Sequence, residues 1–147
     1  MFRRDLLLGA PARLLQRPQR AVVFLIDGLG EDYVAASTMP VLAGWRKKGF
    51  GKTVGGVMPS VTNANNASMC CGCWPEEDGI TANFFLDEST GQERYMESAD
   101  LLLRPTLFER AARRGVKSAL WSAKKKTVSL LPRGASVVLA AESPTAK

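Results

Sequence analysis

The sequence predicts an α/β fold in which a mostly parallel sheet is flanked by helices, and two patterns predict it. Residues 21–26 form a continuous apolar run with β-branched side chains, which is typical of a strand buried on both faces of a parallel sheet. Strand-like segments at 116–121 and 135–141 alternate with helical ones. Such alternation favours parallel strands joined by helices. A chain of 147 residues is about one domain.

Two helices are predicted by their end signals. Residues 39–48 carry apolar side chains at helical spacing, finish on three basic residues and are followed by Gly49, a common helix stop. Thr106, with Glu109 three residues later, predicts a capping box at the start of a helix that runs to Arg114.

The remaining segments are expected to be mostly extended. The glycine-rich residues 50–57 are predicted to form a strand. Residues 80–86 and 93–97 flank the turn sequence 87–91, which predicts a hairpin. Residues 122–126 are expected to open a short helix or loop.

Composition narrows the function. Hydrophobic residues make up 46% of the chain and charged residues 23%, which indicates a soluble globular protein. The net charge of +6 comes from short basic clusters without interleaved aromatic side chains, so no nucleic-acid partner is expected. No apolar run is long enough to cross a membrane, and we expect a cytoplasmic protein that takes small anionic substrates.

The cysteine and acidic clusters are interpreted as structural. Cys70, Cys71 and Cys73 lie within one turn, but the chain has no histidine and no second cysteine pair, so a four-ligand zinc site is not predicted there. We expect small buried helix residues instead. The acidic residues 76–78 are expected to form a solvated turn.

The segment 58–72 carries the strongest candidate for chemistry, Thr62. Pro59 should end the preceding extended segment, and Ser60, Thr62 and Asn63 favour a helix that begins at or just after Thr62. A hydroxyl at that place lies beside unpaired backbone N–H groups and the positive end of the helix dipole. An alkoxide or a bound anion would be stabilised there. The alternative is that Thr62 only caps the helix.

Two further polar residues are candidates for a functional site. Asp27 directly follows the apolar run 21–26, and in open α/β sheets ligands bind at the carboxyl ends of strands. Its simpler interpretation is a turn aspartate before glycine. Asn83 is polar among apolar neighbours, so its amide needs hydrogen-bond partners or a role.

Five segments, taken in order, carry a family resemblance. They are FLIDG at 24–28, MPSVTNANN at 58–66, DGITANFFLD at 78–87, RPTLFE at 104–109 and SAKKK at 122–126. Together they resemble the N-terminal part of phosphonoacetate hydrolase, a family of the alkaline phosphatase superfamily near the nucleotide pyrophosphatase/phosphodiesterases. The implied fold is alkaline-phosphatase-like but incomplete. Residues 1–20 would be a lead-in and residues 21–147 the N-terminal portion of the catalytic domain.

The resemblance implies a two-zinc site. Asp27 would be a metal ligand, and Thr62 the catalytic nucleophile that also contacts zinc. Asn83 would donate to the oxygens of the transferring phosphonyl group, assisted by the N–H of Asn63. The residues implied to hold the carboxylate of a small phosphonate substrate are Lys124 and Lys126, although charged residues in such a run are often only solvated.

The implied reaction is hydrolysis of the carbon–phosphorus bond of phosphonoacetate to acetate and phosphate. The family's other zinc ligands, Asp and His residues, have no counterpart in a chain without histidine. We therefore expect the chain to be a truncated part, weak or inactive alone, of an enzyme that forms a homodimer when complete. Two alternatives stay open: a phosphodiesterase or nucleotide pyrophosphatase of the same superfamily, and a non-catalytic remnant that acts as a binding module.

Overall fold

The computed structural model describes residues 20–36 and 38–141. The predicted lead-in 1–20 lies outside these residues except for Arg20. The helices are α1 (Glu31–Ala36), α2 (Pro40–Lys48), α3 (Thr62–Cys71), α4 (Pro75–Asp78), α5 (Leu107–Ala112) and α6 (Lys125–Leu130), with a 3-10 helix at Ala99–Leu101. The strands are β1 (Phe84–Asp87), β2 (Gln92–Tyr95), β3 (Ala119–Ser122) and β4 (Val137–Ala140).

The helices begin and end close to where their end signals place them. Helix α2 is followed by its C-cap residue Gly49. Helix α3 begins at Thr62 and is followed by its C-cap residue Gly72, whose φ of 69° suits glycine. At α5 the predicted capping box forms, because the Thr106 hydroxyl accepts the N–H of Glu109 while the Glu109 carboxylate accepts the N–H of Thr106.

The strands form two separate pairs. β1 and β2 make the predicted hairpin around a turn at Asp87, with Phe84 opposite Tyr95. β3 and β4 pair in parallel, with Ala119 opposite Val137, and α6 is the crossover between them. The β3–α6–β4 unit is the parallel α/β element that the alternation of strands and helices predicted.

Small and aliphatic side chains from several elements share one core. The core residues that helix α3 contributes lie three and four positions apart, so they share one face of the helix. Their side chains are short, so this face can pack closely against the neighbouring elements. The core cluster consists of Ala67, Cys70, Cys71, Ile80, Met96, Leu102, Leu130 and Leu131. This core joins α3, the end of the hairpin and α6, so it supports the elements that carry the candidate site.

Three local predictions were wrong. Residues 21–26 and 50–57 form no strand, and Val22 and Phe24 are 74% and 72% exposed. A strand requires a hydrogen-bonded neighbour, and within residues 20–36 and 38–141 the only strand pairs are β1–β2 and β3–β4. The acidic segment predicted as a turn is instead α4, because proline and carboxylates in the first turn favour a helix start.

In the part of the chain that the structure describes, no helix is both long and apolar enough to cross a membrane.

Candidate active site

Thr62 occupies the first turn of α3 and its hydroxyl is turned toward Asp27. The N-cap position belongs to Val61, and no side chain caps this helix. Instead, Thr62 Oγ1 donates a hydrogen bond of 3.1 Å to Asp27 Oδ2. The simpler interpretation of Thr62 as a helix cap is therefore wrong. The hydroxyl lies at the positive end of the helix and beside a carboxylate. This environment suits a nucleophile that is activated by a metal ion.

Asp27 is held by two donors, although it follows an apolar segment that forms no strand. Besides Thr62, Lys124 Nζ donates to the same Oδ2 at 3.0 Å, and both side chains of this ion pair are more than half exposed. The hydrogen bond from Lys124 and then the one from Thr62 lower the pKa of the Asp27 carboxyl below its ordinary value. The carboxylate is thus ionised at neutral pH and able to bind a cation.

The amide of Asn83 lies at the same helix terminus. Its Oδ1 accepts the backbone N–H of Asn63 at 3.2 Å. The Asn63 side chain in turn donates to the Met96 carbonyl at 2.7 Å, and Met96 N–H donates to the Asn83 carbonyl at 2.7 Å. The two bonds of Asn63 fasten the hairpin β1–β2 to the first turn of α3, and the third closes the end of the hairpin. The N–H of Asn63 is engaged by Asn83 here, and its predicted role at a substrate oxygen stays a prediction.

The two lysines suggested for the substrate carboxylate have different surroundings. Lys124 precedes α6 as its N-cap residue and is paired with Asp27. Lys126 lies in the first turn of α6, and its Nζ stands 3.5 Å from the centroid of the Tyr95 ring. Both lysines therefore reach elements of the candidate site, one at Asp27 and the other at the hairpin.

The donor set fits part of a zinc site. Asp27 and Thr62 bring two oxygens together, and the Lys124 ammonium on Oδ2 shows that this carboxylate accommodates a cation. Nowhere in residues 20–36 and 38–141 do three or more His, Cys, Asp or Glu side chains converge as a metal site. A catalytic zinc ordinarily takes three protein ligands. The described residues supply two oxygen donors, one fewer than these three ligands.

Asp78 was misjudged from the sequence. It was expected in a solvated turn, yet it is fully buried, accepting Ser68 Oγ–H at 3.0 Å and Ile80 N–H at 2.8 Å. Burial raises the pKa of the Asp78 carboxyl. Aspartate often accepts the N–H two residues ahead, so the Asp-Gly-Ile order was the sequence signal for this hydrogen bond.

No role is predicted for Tyr95 from the sequence, because the position of an aromatic residue in a strand does not show which side chain its ring contacts.

Two of the three cysteines are buried helix residues, as predicted, and the third is not. Cys70 and Cys71 are buried on α3, while Cys73 is partly exposed just beyond it. Burial raises the pKa of all three thiols, that of Cys71 to about 12. A buried thiol that stays protonated is neither a ready nucleophile nor a ready metal ligand.

In this α/β chain the Thr62 hydroxyl, at a helix N-terminus, and the Lys124 ammonium both donate to the Asp27 carboxylate, and this polar cluster is a candidate active site. The family model for type I phosphodiesterase / nucleotide pyrophosphatase matches residues 21–135, and the chain belongs to this family.

Two solved structures of a phosphonoacetate hydrolase from Sinorhizobium meliloti 1021 are similar to the chain. One, in complex with phosphonoacetate, is 34% identical with a TM-score of 0.61. The other, in complex with phosphonoformate, is 35% identical with a TM-score of 0.61. Each match covers 65% of this chain and 23% of the other, so the chain spans less than a quarter of that enzyme. The predicted resemblance and the α/β fold class are confirmed.

Proposed function

We propose that the protein, as its native gene encodes it, is a zinc-dependent hydrolase that cleaves the carbon–phosphorus bond of phosphonoacetate, with Thr62 as nucleophile. The observation that carries the proposal is the 3.1 Å hydrogen bond from Thr62 Oγ1 to Asp27 Oδ2 at the N-terminus of α3. The similarity to a phosphonoacetate hydrolase at 34% identity supports the choice of substrate.

Asp27 and Thr62 would hold zinc, two ions of which we expect in the complete enzyme. A bound zinc ion would acidify the threonine hydroxyl and balance the charge of the phosphonate. The N-terminus of α3 adds its backbone N–H groups and partial positive charge on the same side. Acidification of the Thr62 hydroxyl by zinc would take the place of proton removal by an imidazole.

The covalent step follows from these positions. The Thr62 hydroxyl gives its proton to water, Thr62 Oγ attacks phosphorus, an O–P bond forms, and the C–P bond breaks with its electron pair on the carbon of the departing acetate. That carbon takes a proton from water to give acetate, and a second water hydrolyses the phosphorylated Thr62 to release phosphate. Removing the hydroxyl should therefore abolish both steps.

Asn83 stabilises the transferring group in this scheme. Its Oδ1 is engaged by the N–H of Asn63, so the NH₂ end of the amide is the end left to face a ligand. A fixed donor at the oxygens of a transferring group stabilises the charge that develops there. Lys124, the N-cap residue of α6, and Lys126, in the first turn of that helix, would bind the substrate carboxylate.

The test is the reaction itself, measured on the native gene product isolated from its own cells and supplied with zinc. We expect ³¹P NMR to show phosphonoacetate converted to inorganic phosphate, with equimolar acetate in the ¹H spectrum. Treatment with a chelator should stop the conversion and added zinc should restore it. Absence of phosphate from the zinc-supplied protein would overturn the proposal.

A second candidate is a phosphodiesterase or nucleotide pyrophosphatase, which the matching family model favours. Lys126 discriminates between the two, because only phosphonoacetate carries a carboxylate for it to bind. Lys126→Ala should weaken phosphonoacetate hydrolysis far more than hydrolysis of an aryl phosphate diester, while the exposed Lys117→Ala should change neither. Equal losses on both substrates would favour the diesterase.

A further inference from the structure

We propose that Tyr95 is a positioning residue that holds Lys126 for the substrate carboxylate and thereby selects carboxylated phosphonates. The inference rests on the proposed function. Lys126 Nζ lies 3.5 Å from the centroid of the Tyr95 ring, well within the distance at which a ring face attracts an ammonium group. Without such a contact a lysine side chain on an exposed helix would sample many rotamers.

The chemistry of the ring suits this task better than a carboxylate would. The face of an aromatic ring attracts a cation through its quadrupole but has no net charge. Lys126 is therefore oriented without being neutralised, and its positive charge stays available for a substrate anion. Lys124 shows the contrast, because it is paired with the Asp27 carboxylate.

The ring itself is held in place by the hairpin. Tyr95 lies opposite Phe84 in the register of β1 and β2. Their rings meet edge to face, with centroids 4.4 Å apart and planes at 73°, an arrangement that aromatic pairs prefer. The Tyr95 side chain is half-buried, so it has less freedom than an exposed residue would have.

The same end of the hairpin holds the catalytic amide. Asn83 precedes Phe84 and Met96 follows Tyr95, and the Met96 N–H bonds the Asn83 carbonyl at 2.7 Å. The Asn63 side chain then ties Met96 to α3 at 2.7 Å. The Tyr95 ring and the Asn83 amide therefore belong to the same hydrogen-bonded end of the hairpin. This end fixes where the Lys126 ammonium lies relative to the N-terminus of α3. Tyr95 thus couples the carboxylate end of the site to its phosphonate end.

The experiment compares Tyr95→Leu with Tyr95→Phe in the native gene product. Loss of the ring face should raise KM for phosphonoacetate about 2- to 5-fold, with kcat unchanged within error. Tyr95→Phe keeps the face and should retain the original KM. An aryl phosphate diester, which has no carboxylate, should show the same KM with all three proteins. A Tyr95→Leu protein with unaltered KM for phosphonoacetate would overturn the proposal, as would Tyr95→Phe behaving like Tyr95→Leu.

A second readout does not depend on activity. Lys126 Nζ lies over the ring, so we expect the protons on the adjacent Cε to resonate upfield of those of other lysines in ¹H–¹³C NMR spectra. We expect that shift to vanish in Tyr95→Leu and persist in Tyr95→Phe. An ordinary Lys126 resonance in the unaltered protein would overturn the proposal even if phosphonoacetate is hydrolysed. Failure of the proposed function is recognised separately, because no variant or parent protein would then release phosphate.

Discussion

The hydroxyl of Thr62 and the carboxylate of Asp27 meet at 3.1 Å although 35 residues separate them in the chain. Each residue sits at a boundary: Asp27 follows an apolar segment, and Thr62 opens α3. The contact brings a potential nucleophile and a potential metal ligand together beside a helix N-terminus. The predictions below begin with this pair.

Thr62→Ala should abolish phosphonoacetate hydrolysis by the native gene product, on the order of 10³-fold or more in kcat, since no other group replaces a lost nucleophile. Thr62→Ser keeps a hydroxyl and should retain part of the rate. Phosphate release measured with both variants checks this. The matched control is Thr53→Ala, which removes an exposed hydroxyl that donates to Glu31 at 3.4 Å and should leave kcat unchanged.

Asn83→Asp should separate the structural role of Asn83 from its catalytic role. The aspartate can still accept the Asn63 N–H, so thermal stability should change little, but it lacks the NH₂ donor and brings a negative charge. We expect kcat to fall about 10²- to 10³-fold. Asn83→Ala should have a lower kcat, because it lacks the NH₂ donor, and a lower melting temperature, because the hydrogen bond to Asn63 is removed. A variant Asn83→Asp with full activity would contradict the catalytic role.

Asp78 should make the folded chain less stable as pH rises. Burial, assisted weakly by Glu77, raises the pKa of this carboxyl above its ordinary value of 3.8, against the hydrogen bonds from Ile80 and Ser68. The folded state then binds a proton more tightly than the unfolded state. The contribution of protonated Asp78 to stability is therefore lost as pH rises from about 3.8 through the raised pKa of the folded state.

Asp78→Asn removes this titration, its amide oxygen can still accept the Ile80 N–H, and its NH₂ group can donate to the Ser68 hydroxyl instead of accepting from it. The stability of the variant relative to the parent should therefore increase with pH across that window, as measured by urea unfolding at a series of pH values. Asp100→Asn, which replaces an exposed carboxylate, is the control measured in the same series. A constant difference between Asp78→Asn and the parent would contradict the prediction.

Thr106→Ala should destabilise the fold by about 2 kcal/mol, because it removes a helix cap and leaves a carbonyl without its donor. Thr106 is fully buried, its hydroxyl donates to the Arg133 carbonyl at 2.6 Å, and it accepts the Glu109 N–H at 3.1 Å. Thr106→Ser preserves both bonds and serves as the control. Denaturant midpoints that coincide for all three proteins would show that the cap contributes nothing measurable.

The chain of 147 residues should bind zinc substoichiometrically when it is dialysed against micromolar zinc. Two oxygen donors, Asp27 and Thr62, fall short of the three protein ligands that a catalytic zinc ordinarily takes. Elemental analysis after dialysis checks this, with Asp27→Asn expected to lower the zinc content further and Asp32→Asn expected to leave it unchanged. One tightly held zinc per chain would contradict the prediction.

Several features could be predicted because they depend on neighbours in the sequence. The Thr106–Glu109 capping box and the start of α3 at Thr62 arise from hydrogen bonds and backbone preferences that span a few residues. The turn after Asp87 has the same local origin. By contrast, the apolar run 21–26 was predicted as a strand, and apolarity alone cannot show whether a hydrogen-bonded neighbour is present.

The sequence by itself determined which residues are candidates for the site and which elements carry most of them, since motifs and end signals are local. Only the tertiary structure decided which side chains meet. The pairing of Lys124 with Asp27, the ring of Tyr95 under Lys126 and the burial of Asp78 all join elements distant in sequence or depend on what packs around them. Such contacts follow from how helices and strands pack into one core, and no spacing along the chain encodes that directly.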